Sequence, residues 1–181
     1  MKTIITIICC FLFITASISQ ERYLTKSGAI NFYSKSQIED ITADNNQVLS
    51  IVDATSGKMA ISILIKSFMF KKALMQEHFN ENYLESDRFP KATFQGNILN
   101  FDTLKDTAIK LKVKGVLTIH DISKEKTIEA NFTRTKEAIL VEGNFMVILE
   151  EFNVEIPAVV AKNIAKQIKV TFNFNHTPYK K

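Results

Sequence analysis

The sequence contains no tryptophan, three prolines, five glycines and two cysteines among its 181 residues. So few prolines and glycines, with no low-complexity tract, argue against a flexible linker and for a single domain. Both cysteines, Cys9 and Cys10, lie in an N-terminal apolar run, so the rest of the chain can form no disulfide. A glycine-rich phosphate loop, a nucleophile elbow and a Cys/His pair are also missing, and we expect no cofactor.

The N-terminal segment has the features of an export signal. An apolar run follows a positively charged start, and Ser17 and Ser19 then supply the small residues that precede a cleavage site. We predict that residues 1–19 are a signal peptide cleaved before Gln20, which leaves residues 20–181 as the mature domain in the periplasm or outside the cell. The run is short for a membrane span, and an uncleaved anchor is the alternative.

From Gly28 onward, short runs of alternating apolar and polar residues are separated by polar turns. This pattern is typical of an antiparallel β protein whose strands each have one buried and one wet face. We predict about eight strands in sequential hairpins, with a helical turn at 159–165 and strands at 29–35, 47–54, 58–66, 92–101, 108–120, 125–134, 139–149 and 167–175.

One segment, residues 73–84, lacks the alternation, and the spacing of its apolar residues predicts a short amphipathic helix. The predicted apolar side consists of Leu74, Met75, Phe79 and Tyr83. The predicted wet side consists of Gln76, Glu77, Asn80 and Glu81. Pro90 prevents the helix from continuing. A single helix among strands is most simply a lid on a β structure, and filling the end of a core is the other interpretation.

A sheet of about eight sequential strands avoids exposed edges most easily by closing into a barrel. A barrel of this size holds packed side chains or one slender ligand. A β-sandwich stays the alternative, because alternation alone does not distinguish the two. Gly96, Gly115 and Gly143 on the predicted inward faces mark either bends in the strands or space for a guest.

Three stretches also carry a resemblance to a known family. They are FMFKKALMQEHFNENYLESDRFPKATF at 68–94, GVLTIHDISK at 115–124 and LEEFNVEIP at 149–157. The chain after the signal segment resembles the YceI-like family, the periplasmic polyisoprenoid-binding proteins of bacteria. The resemblance implies an all-β fold with one short helical insert, namely an extended, lipocalin-like antiparallel β-barrel. The family usually has glycine where this chain has Asp121, which leaves the geometry of that turn open.

The resemblance implies a guest, namely a polyisoprenoid, an isoprenoid quinone or a related lipid, threaded into the barrel. The inward positions contain no charged side chain, so a cavity between them would stay dry and favour an apolar guest. The predicted apolar lining, with the entrance residues Phe68, Phe70, Leu74 and Phe79, further includes Ile61, Ile63, Ile65, Phe94, Ile98, Leu111, Val113, Leu117, Ile128, Phe132, Val141, Phe145, Val147, Ile168, Val170 and Phe172. The predicted head-group contacts are His78, Asn82 and Arg88.

The predicted function is therefore lipid binding and carriage without catalysis, and two alternatives stay open. An enzyme could enclose an apolar substrate in the same barrel, with His78 and a nearby carboxylate as acid and base. A filled barrel with a structural or inhibitory role is the second. His78, His120 and His176 have no partner at recognised metal-ligand spacing, which favours structural or solvated roles for them over a metal site.

A net charge of +4 is too small to indicate nucleic-acid binding. Lys110, Lys112 and Lys114 follow the outward face of one predicted strand, which is typical of a solvated strand face. Contact with anionic lipid head groups is the alternative. The expected partners are thus the lipid guest, a transiently contacted membrane and, from the resemblance, a second copy of the chain in a homodimer.

Overall fold

The computed structural model describes residues 21–36, 39–156 and 165–179. The predicted signal peptide and nearly all of the helical turn predicted at 159–165 lie outside these residues. The strands are β1 Arg22–Ser34, β2 Ile41–Asp53, β3 Lys58–Leu64, β4 Met69–Phe70, β5 Lys91–Ile98, β6 Ile109–Ile119, β7 Ile122–Arg134, β8 Ile139–Ile148 and β9 Gln167–Tyr179. One α-helix, α1 Ala73–His78, lies between β4 and β5.

Eight of the strands close into an antiparallel barrel, which confirms the predicted fold. β1 pairs with β2 on one side and with β9 on the other, and the circuit runs β1-β9-β8-β7-β6-β5-β3-β2. The two-residue β4 extends the sheet beside β2, opposite Ala43 and Asp44. Because a single sheet surrounds the interior, the sandwich alternative is wrong, and the eight ring strands expose no open edge.

Period-two alternation in β6 determines which of its side chains face the interior. Leu111, Val113 and Leu117 are buried, while the intervening lysines are exposed. β6 and β7 are joined by His120 and Asp121, whose φ values of 51° and 61° are the two positive angles of a type I′ turn. Aspartate tolerates this left-handed region better than most residues, so the chain keeps a tight hairpin without glycine.

The connections divide the barrel into two ends that differ in composition. The mouth end carries α1 and the 3₁₀ turns Ile65–Ser67 and Leu149–Phe152. The closed end carries the loops that follow β2, β5 and β7. Buried side chains fill the closed end, each at most 2% exposed, and the largest are Tyr23, Phe132, Ile139, Phe174 and His176.

His176 is a structural residue of this closed end. Its Nδ1 lies 3.0 Å from the Ile139 carbonyl oxygen, and its Nε2 lies 2.8 Å from the Ser50 hydroxyl. A carbonyl oxygen can only accept, so Nδ1 carries the hydrogen, and Nε2 accepts one from Ser50. Burial lowers the pKa of His176 to about 4, so the ring is neutral at physiological pH.

Two glycines on the inward faces mark a close approach of strands. Gly96 and Gly115 stand opposite each other in β5 and β6. A Cβ at Gly115 would lie 2.3 Å from the Gln95 carbonyl oxygen and 2.6 Å from Cα of Gly96. The pair therefore lets two backbones pack tightly, and the interpretation that these glycines make space for a guest is wrong.

The first two strands begin earlier than predicted. β1 starts at Arg22, but its pairing with β2 shifts register between Thr25 and Gly28, which interrupts the alternation that the prediction relied on. β2 starts at Ile41, but one of its inward residues is Asn45, a polar side chain that is 1% exposed. The Asn45 amide donates to the Leu64 carbonyl oxygen at 3.0 Å, so its burial is compensated by a hydrogen bond.

Candidate functional site

The barrel contains an apolar interior space that begins at the mouth end. Its outermost part, the mouth chamber, has a volume of about 200 Å³. Strands, α1 and the 3₁₀ turn at 149–152 all contribute to its lining, which consists of Phe32, Ser34, Ile41, Phe70, Met75, His78, Phe79, Tyr83, Leu84, Leu149, Val154, Ile156 and Ile168.

Two further chambers follow it into the barrel. The middle chamber, of about 120 Å³, shares six lining residues with the mouth chamber, namely Phe32, Phe79, Leu84, Leu149, Val154 and Ile168. The inner chamber, of about 50 Å³, shares Ile30, Ile63, Leu117 and Phe145 with the middle one. Side chains alone thus divide the chambers from one another. Every described residue that lines the middle and inner chambers is apolar, so the barrel encloses a dry, hollow interior rather than a filled one.

Four phenylalanine rings, the phenylalanine cluster, separate the mouth chamber from the middle one. Phe32, Phe68, Phe70 and Phe79 form five ring pairs with centroid distances of 5.0 to 5.6 Å. Phe79 contacts all three other rings, and each such pair contributes about 0.5–1.5 kcal/mol beyond area burial. Because Phe79 follows α1 directly, this cluster holds the helical insert onto the barrel.

The helical insert changes its geometry at Phe79. After α1, residues Phe79–Tyr83 form a π-helical turn, in which the Leu84 N–H donates to the Phe79 carbonyl oxygen at 3.0 Å. This five-residue hydrogen-bond step is wider than an α-helical turn. Leu84 is 7% exposed and lines both the mouth and the middle chamber, a position that the sequence pattern did not predict.

The predicted faces of this helix are partly wrong. Leu74 is 61% exposed and lies on the outer side. At 3.6 residues per turn it is about 140° from Phe79 around the axis, so the two cannot share one face. Gln76 and Asn80, expected on the wet side, are half-buried. Gln76 turns inward to accept the Phe70 N–H at 3.4 Å.

Most of the predicted apolar residues do line the chambers, while three others lie in the packed part of the barrel. Ile98, Leu111 and Phe132 face inward but are buried among the side chains toward the closed end. The predicted residues that line a chamber are Ile61, Ile63, Ile65, Phe68, Phe70, Phe79, Phe94, Val113, Leu117, Ile128, Val141, Phe145, Val147, Ile168, Val170 and Phe172. Contact of these side chains with a ligand stays a prediction.

Of the three predicted head-group residues, the structure brings only His78 to the mouth chamber. Asn82 is exposed. Arg88 is also exposed, its guanidinium lying 3.5 Å from the Glu85 carboxylate and 4.8 Å from the Phe89 ring centroid. Arg88 therefore stabilises the loop after the helix and does not line the chamber.

Two other polar residues line the mouth chamber beside His78. Ser34 is fully buried, and its hydroxyl oxygen accepts the Ala165 N–H at 3.0 Å. Tyr83 is half-buried, and burial raises the pKa of its hydroxyl, which therefore stays a neutral hydrogen-bond donor. Among the described residues, neither the Tyr83 hydroxyl nor the His78 ring has a hydrogen-bond partner. Ser34, His78 and Tyr83 are thus the polar residues in the otherwise apolar lining of the mouth chamber.

Several lining residues were missed by sequence reasoning. Ile30 and Phe32 of β1 lie within a predicted strand, where alternation already placed them on one face. Leu149, in the 3₁₀ turn, and Val154, just after it, line the mouth chamber. The stretch LEEFNV gives a weaker signal, because its apolar residues are spaced by three and two rather than strictly alternating.

The outward lysine row behaves as a solvated strand face. Lys110, Lys112 and Lys114 are exposed, and Lys112 lies 3.8 Å from Glu129 on the neighbouring strand. Membrane contact and a homodimer stay predictions. Within the described ranges, no group of three or more His, Cys, Asp or Glu side chains is arranged to hold a metal ion. No helix in the described part of the chain is long and apolar enough to span a bilayer.

Comparisons with known proteins agree with this architecture. The family model described as "YceI-like domain" matches residues 24–176. Among solved structures, a polyisoprenoid binding domain from Saccharophagus degradans superposes with a TM-score of 0.76 at 14% identity, covering 88% of this chain and 99% of that one. BcnA of Burkholderia cenocepacia gives 0.68 at 16% identity, covering 81% and 94%. The YCEI protein of Campylobacter jejuni gives 0.60 at 18%, covering 81% and 90%. A search of curated proteins finds no match.

Proposed function

Since the chain belongs to the YceI-like domain family, we propose that it is a periplasmic carrier that encloses one long apolar lipid, without catalysis. The lipid is a polyisoprenoid, an isoprenoid quinone or a molecule of similar shape. The observation that carries this proposal is the row of three adjoining chambers, which leads from the mouth end into a dry interior. Such a narrow and segmented space accepts a long, flexible hydrocarbon chain, either unbranched or with methyl branches.

The energetics support a hydrocarbon guest. Each buried methylene-sized group contributes about 0.8 kcal/mol, and a prenyl tail offers several of them per unit. This gain offsets the cost of ordering a flexible chain and of losing its translational freedom. Phenylalanine and methionine side chains at the mouth, such as Phe70 and Met75, adapt their packing to a flexible tail.

Two further observations support the lipid class and the compartment. The similar domain from Saccharophagus degradans is described as polyisoprenoid binding, and it shares the fold of this chain. The predicted signal peptide at residues 1–19 directs the chain out of the cytoplasm. A carrier in the periplasm shields a water-insoluble lipid from water as it passes between membranes. A barrel with a dry interior provides this shielding.

The direct test is to recover the guest. Protein purified from the periplasm of its native host, without detergent, is extracted with organic solvent and examined by mass spectrometry. We expect a prenyl lipid in near-stoichiometric amount. Recovery of no prenyl or acyl species, together with millimolar or weaker affinity for added prenyl lipids, would contradict the proposal.

A variant that fills the middle chamber tests the location of the guest. Ala92 lines that chamber and is 5% exposed, so Ala92→Phe places a ring where the tail would lie. We expect a loss of lipid affinity of at least about tenfold, equivalent to the contacts of two methylene groups. The matched control is Ala60→Phe on the exposed face of neighbouring β3. Equal lipid affinity in the two variants would place the guest elsewhere.

A further inference from the structure

The hairpin of β7 and β8 is paired over only part of its length. The ladder joins residues 130–134 of β7 to residues 139–143 of β8. Toward the mouth end both strands, which are described in full, continue without pairing with each other. Over that part β7 keeps its partner β6, and β8 keeps its partner β9. The barrel wall therefore contains a seam between residues 122–129 of β7 and residues 144–148 of β8.

The turn Leu149–Phe152, which follows β8, lies in this seam against β7. Phe152 is fully buried, and together with Leu149 and Val154 it lines the middle chamber. Strands β6 and β8 also line that chamber, whereas β7, which lies between them in the sheet, contributes none of the described lining residues. The turn thus takes the place of β7 in the wall of the middle chamber.

Backbone hydrogen bonds make this turn a compact unit and connect it to the β9 side of the seam. The Asn153 N–H donates to the Glu150 carbonyl oxygen, and the Val154 N–H donates to that of Leu149, both at 3.2 Å. The Leu149 N–H donates to the carbonyl oxygen of Lys166, just before β9, at 3.1 Å. Among the described residues, no backbone hydrogen bond joins the turn to β7. The turn can therefore pivot about its β9 side without breaking a strand ladder.

Side chains hold the turn against β7. Lys126 has the strand parity of the buried Ile128, so it places a charge on an inward face where the sequence pattern predicted none. Its ammonium group lies 2.5 Å from the Glu151 carboxylate and 6.0 Å from the centroid of the Phe152 ring. The Lys126 and Glu151 side chains are 21% and 35% exposed, so water and salt screen this ion pair less than a fully exposed one. This ion pair must separate before the turn can leave the seam.

We propose that the turn Leu149–Phe152 is a side gate of the barrel, held shut by the Lys126–Glu151 ion pair, through which the hydrocarbon tail of the guest enters and leaves the middle chamber. The inference rests on the proposed carrier function and adds a route to it. Opening separates one ion pair and exposes one phenylalanine ring, a local change of the kind that folded proteins undergo without global unfolding. A tail that enters sideways does not have to thread lengthwise between the rings of the phenylalanine cluster.

A crosslink across the seam tests the side gate directly. Both native cysteines lie in the predicted signal peptide, so a cysteine pair introduced into residues 20–181 supplies the only thiols of the mature chain. The pair Lys126→Cys and Glu151→Cys is joined by a short flexible bismaleimide, and transfer of a fluorescent prenyl lipid from and to vesicles is followed by stopped flow. We expect crosslinking to slow uptake and release at least about tenfold, because the turn can no longer leave β7, and to leave the equilibrium affinity unchanged.

The matched control is the pair Lys112→Cys and Glu129→Cys, which joins the outward faces of β6 and β7 where those strands are hydrogen-bonded. Its crosslink should change neither rate. Equal rates before and after crosslinking of the 126–151 pair, or equal slowing in both pairs, would overturn the side gate and leave the carrier intact. If the wild type and both uncrosslinked variants bind no prenyl lipid, the carrier function itself is overturned.

The Lys126→Met variant removes the ion pair but keeps an apolar side chain beside the Phe152 ring. We expect lipid release about fivefold faster than in the wild type, with no change in Lys112→Met, which loses the outward pair with Glu129. Amide hydrogen exchange should become faster at residues 149–154 and stay unchanged in the β6–β7 ladder. Unchanged release in Lys126→Met, or a loss of protection across the whole barrel, contradicts the assignment.

Discussion

At the scale of single residues, the closed end depends on a histidine that the fold keeps neutral. His176 is hydrogen-bonded through both ring nitrogens, to the Ile139 carbonyl oxygen and the Ser50 hydroxyl. Burial lowers its pKa from 6.5 to about 4, although the hydrogen bond to the Ile139 carbonyl oxygen acts in the opposite direction. The same residue type at the mouth, His78, faces a chamber, so two histidines of one chain serve different purposes.

This pKa shift predicts a dependence of stability on pH. Below pH 6.5 the unfolded chain binds a proton that the folded protein does not bind until about pH 4, so stability falls through that window. The expected loss is about 3 kcal/mol, with none above pH 6.5 and no further loss below pH 4. Urea unfolding of the wild type and of His176→Gln at pH 7, 5.5 and 4.5 measures it.

We expect His176→Gln to be the less stable protein at pH 7, because its amide replaces two well-placed hydrogen bonds imperfectly. Its stability should then change less steeply with pH than that of the wild type. Parallel curves for the two proteins would show that protonation of His176 does not contribute to the acid sensitivity.

At the scale of elements, the helical insert lies at the mouth end and lines the mouth chamber. α1 is only six residues long, and a helix of that length is marginal without tertiary contacts. Its attachment comes from Phe79 in the phenylalanine cluster and from Leu84 beneath it. The Phe79 ring also lies between the mouth and middle chambers. One side chain therefore both attaches the helical insert to the barrel and separates these two chambers.

Phe79→Ala is therefore expected to speed lipid release. Removing the ring deletes three aromatic contacts and joins the two outer chambers, so the dissociation rate constant should rise about tenfold. Stopped-flow transfer of a fluorescent prenyl lipid to acceptor vesicles measures this rate. Phe101→Ala at the closed end is the control for loss of a phenylalanine, and equal release rates in the two variants would contradict a role for Phe79 in access.

The elements also show what the sequence can predict. β5 to β8 match their predictions to within three residues at each end, because most of their inward positions are apolar. β9 continues to Tyr179, four residues beyond its predicted end, since the inward residue there is the polar His176. β1 and β2 were predicted too short, since a register shift and the buried amide of Asn45 hide the alternation. The faces of the helix were assigned wrongly for two reasons. Leu74 was placed on the apolar side although the α-helical period points it away from Phe79, and the same period was continued into the π-helical turn.

The sequence predicts which side chains of the candidate site face the interior, but it does not predict which of them line a chamber. Leu111 and Val113 have the same inward parity on β6, yet Val113 lines the inner chamber and Leu111 is packed near the closed end. Parity determines the face of a strand, whereas an empty space depends on which side chains meet across the barrel. Which side chains meet depends on the stagger of the strands and on how the barrel closes, and neither can be read from a single sequence.

At the scale of the whole molecule, the space between the mouth end and the packed closed end limits how large a guest can be. The chambers become smaller from about 200 to 120 to 50 Å³ toward the closed end. Beyond them lie large, fully buried side chains, Phe132, Ile139 and His176 among them. Shape alone thus gives the barrel a maximum usable tail length.

We therefore expect affinity to increase with tail length and then to stop increasing. For prenols of rising length, each added isoprene unit that enters a chamber should strengthen binding by at least about tenfold, since its apolar groups outweigh the cost of ordering them. Once the inner chamber is filled, further units should add little. Isothermal titration with a graded prenol series measures the curve, and a steady increase with no plateau would contradict a sealed far end.

Within the described part of the chain, the packed closed end gives a guest in the chambers no exit opposite the mouth. A guest that entered tail first would therefore leave head group first, and its head group would be the first part to contact a receiving enzyme or membrane.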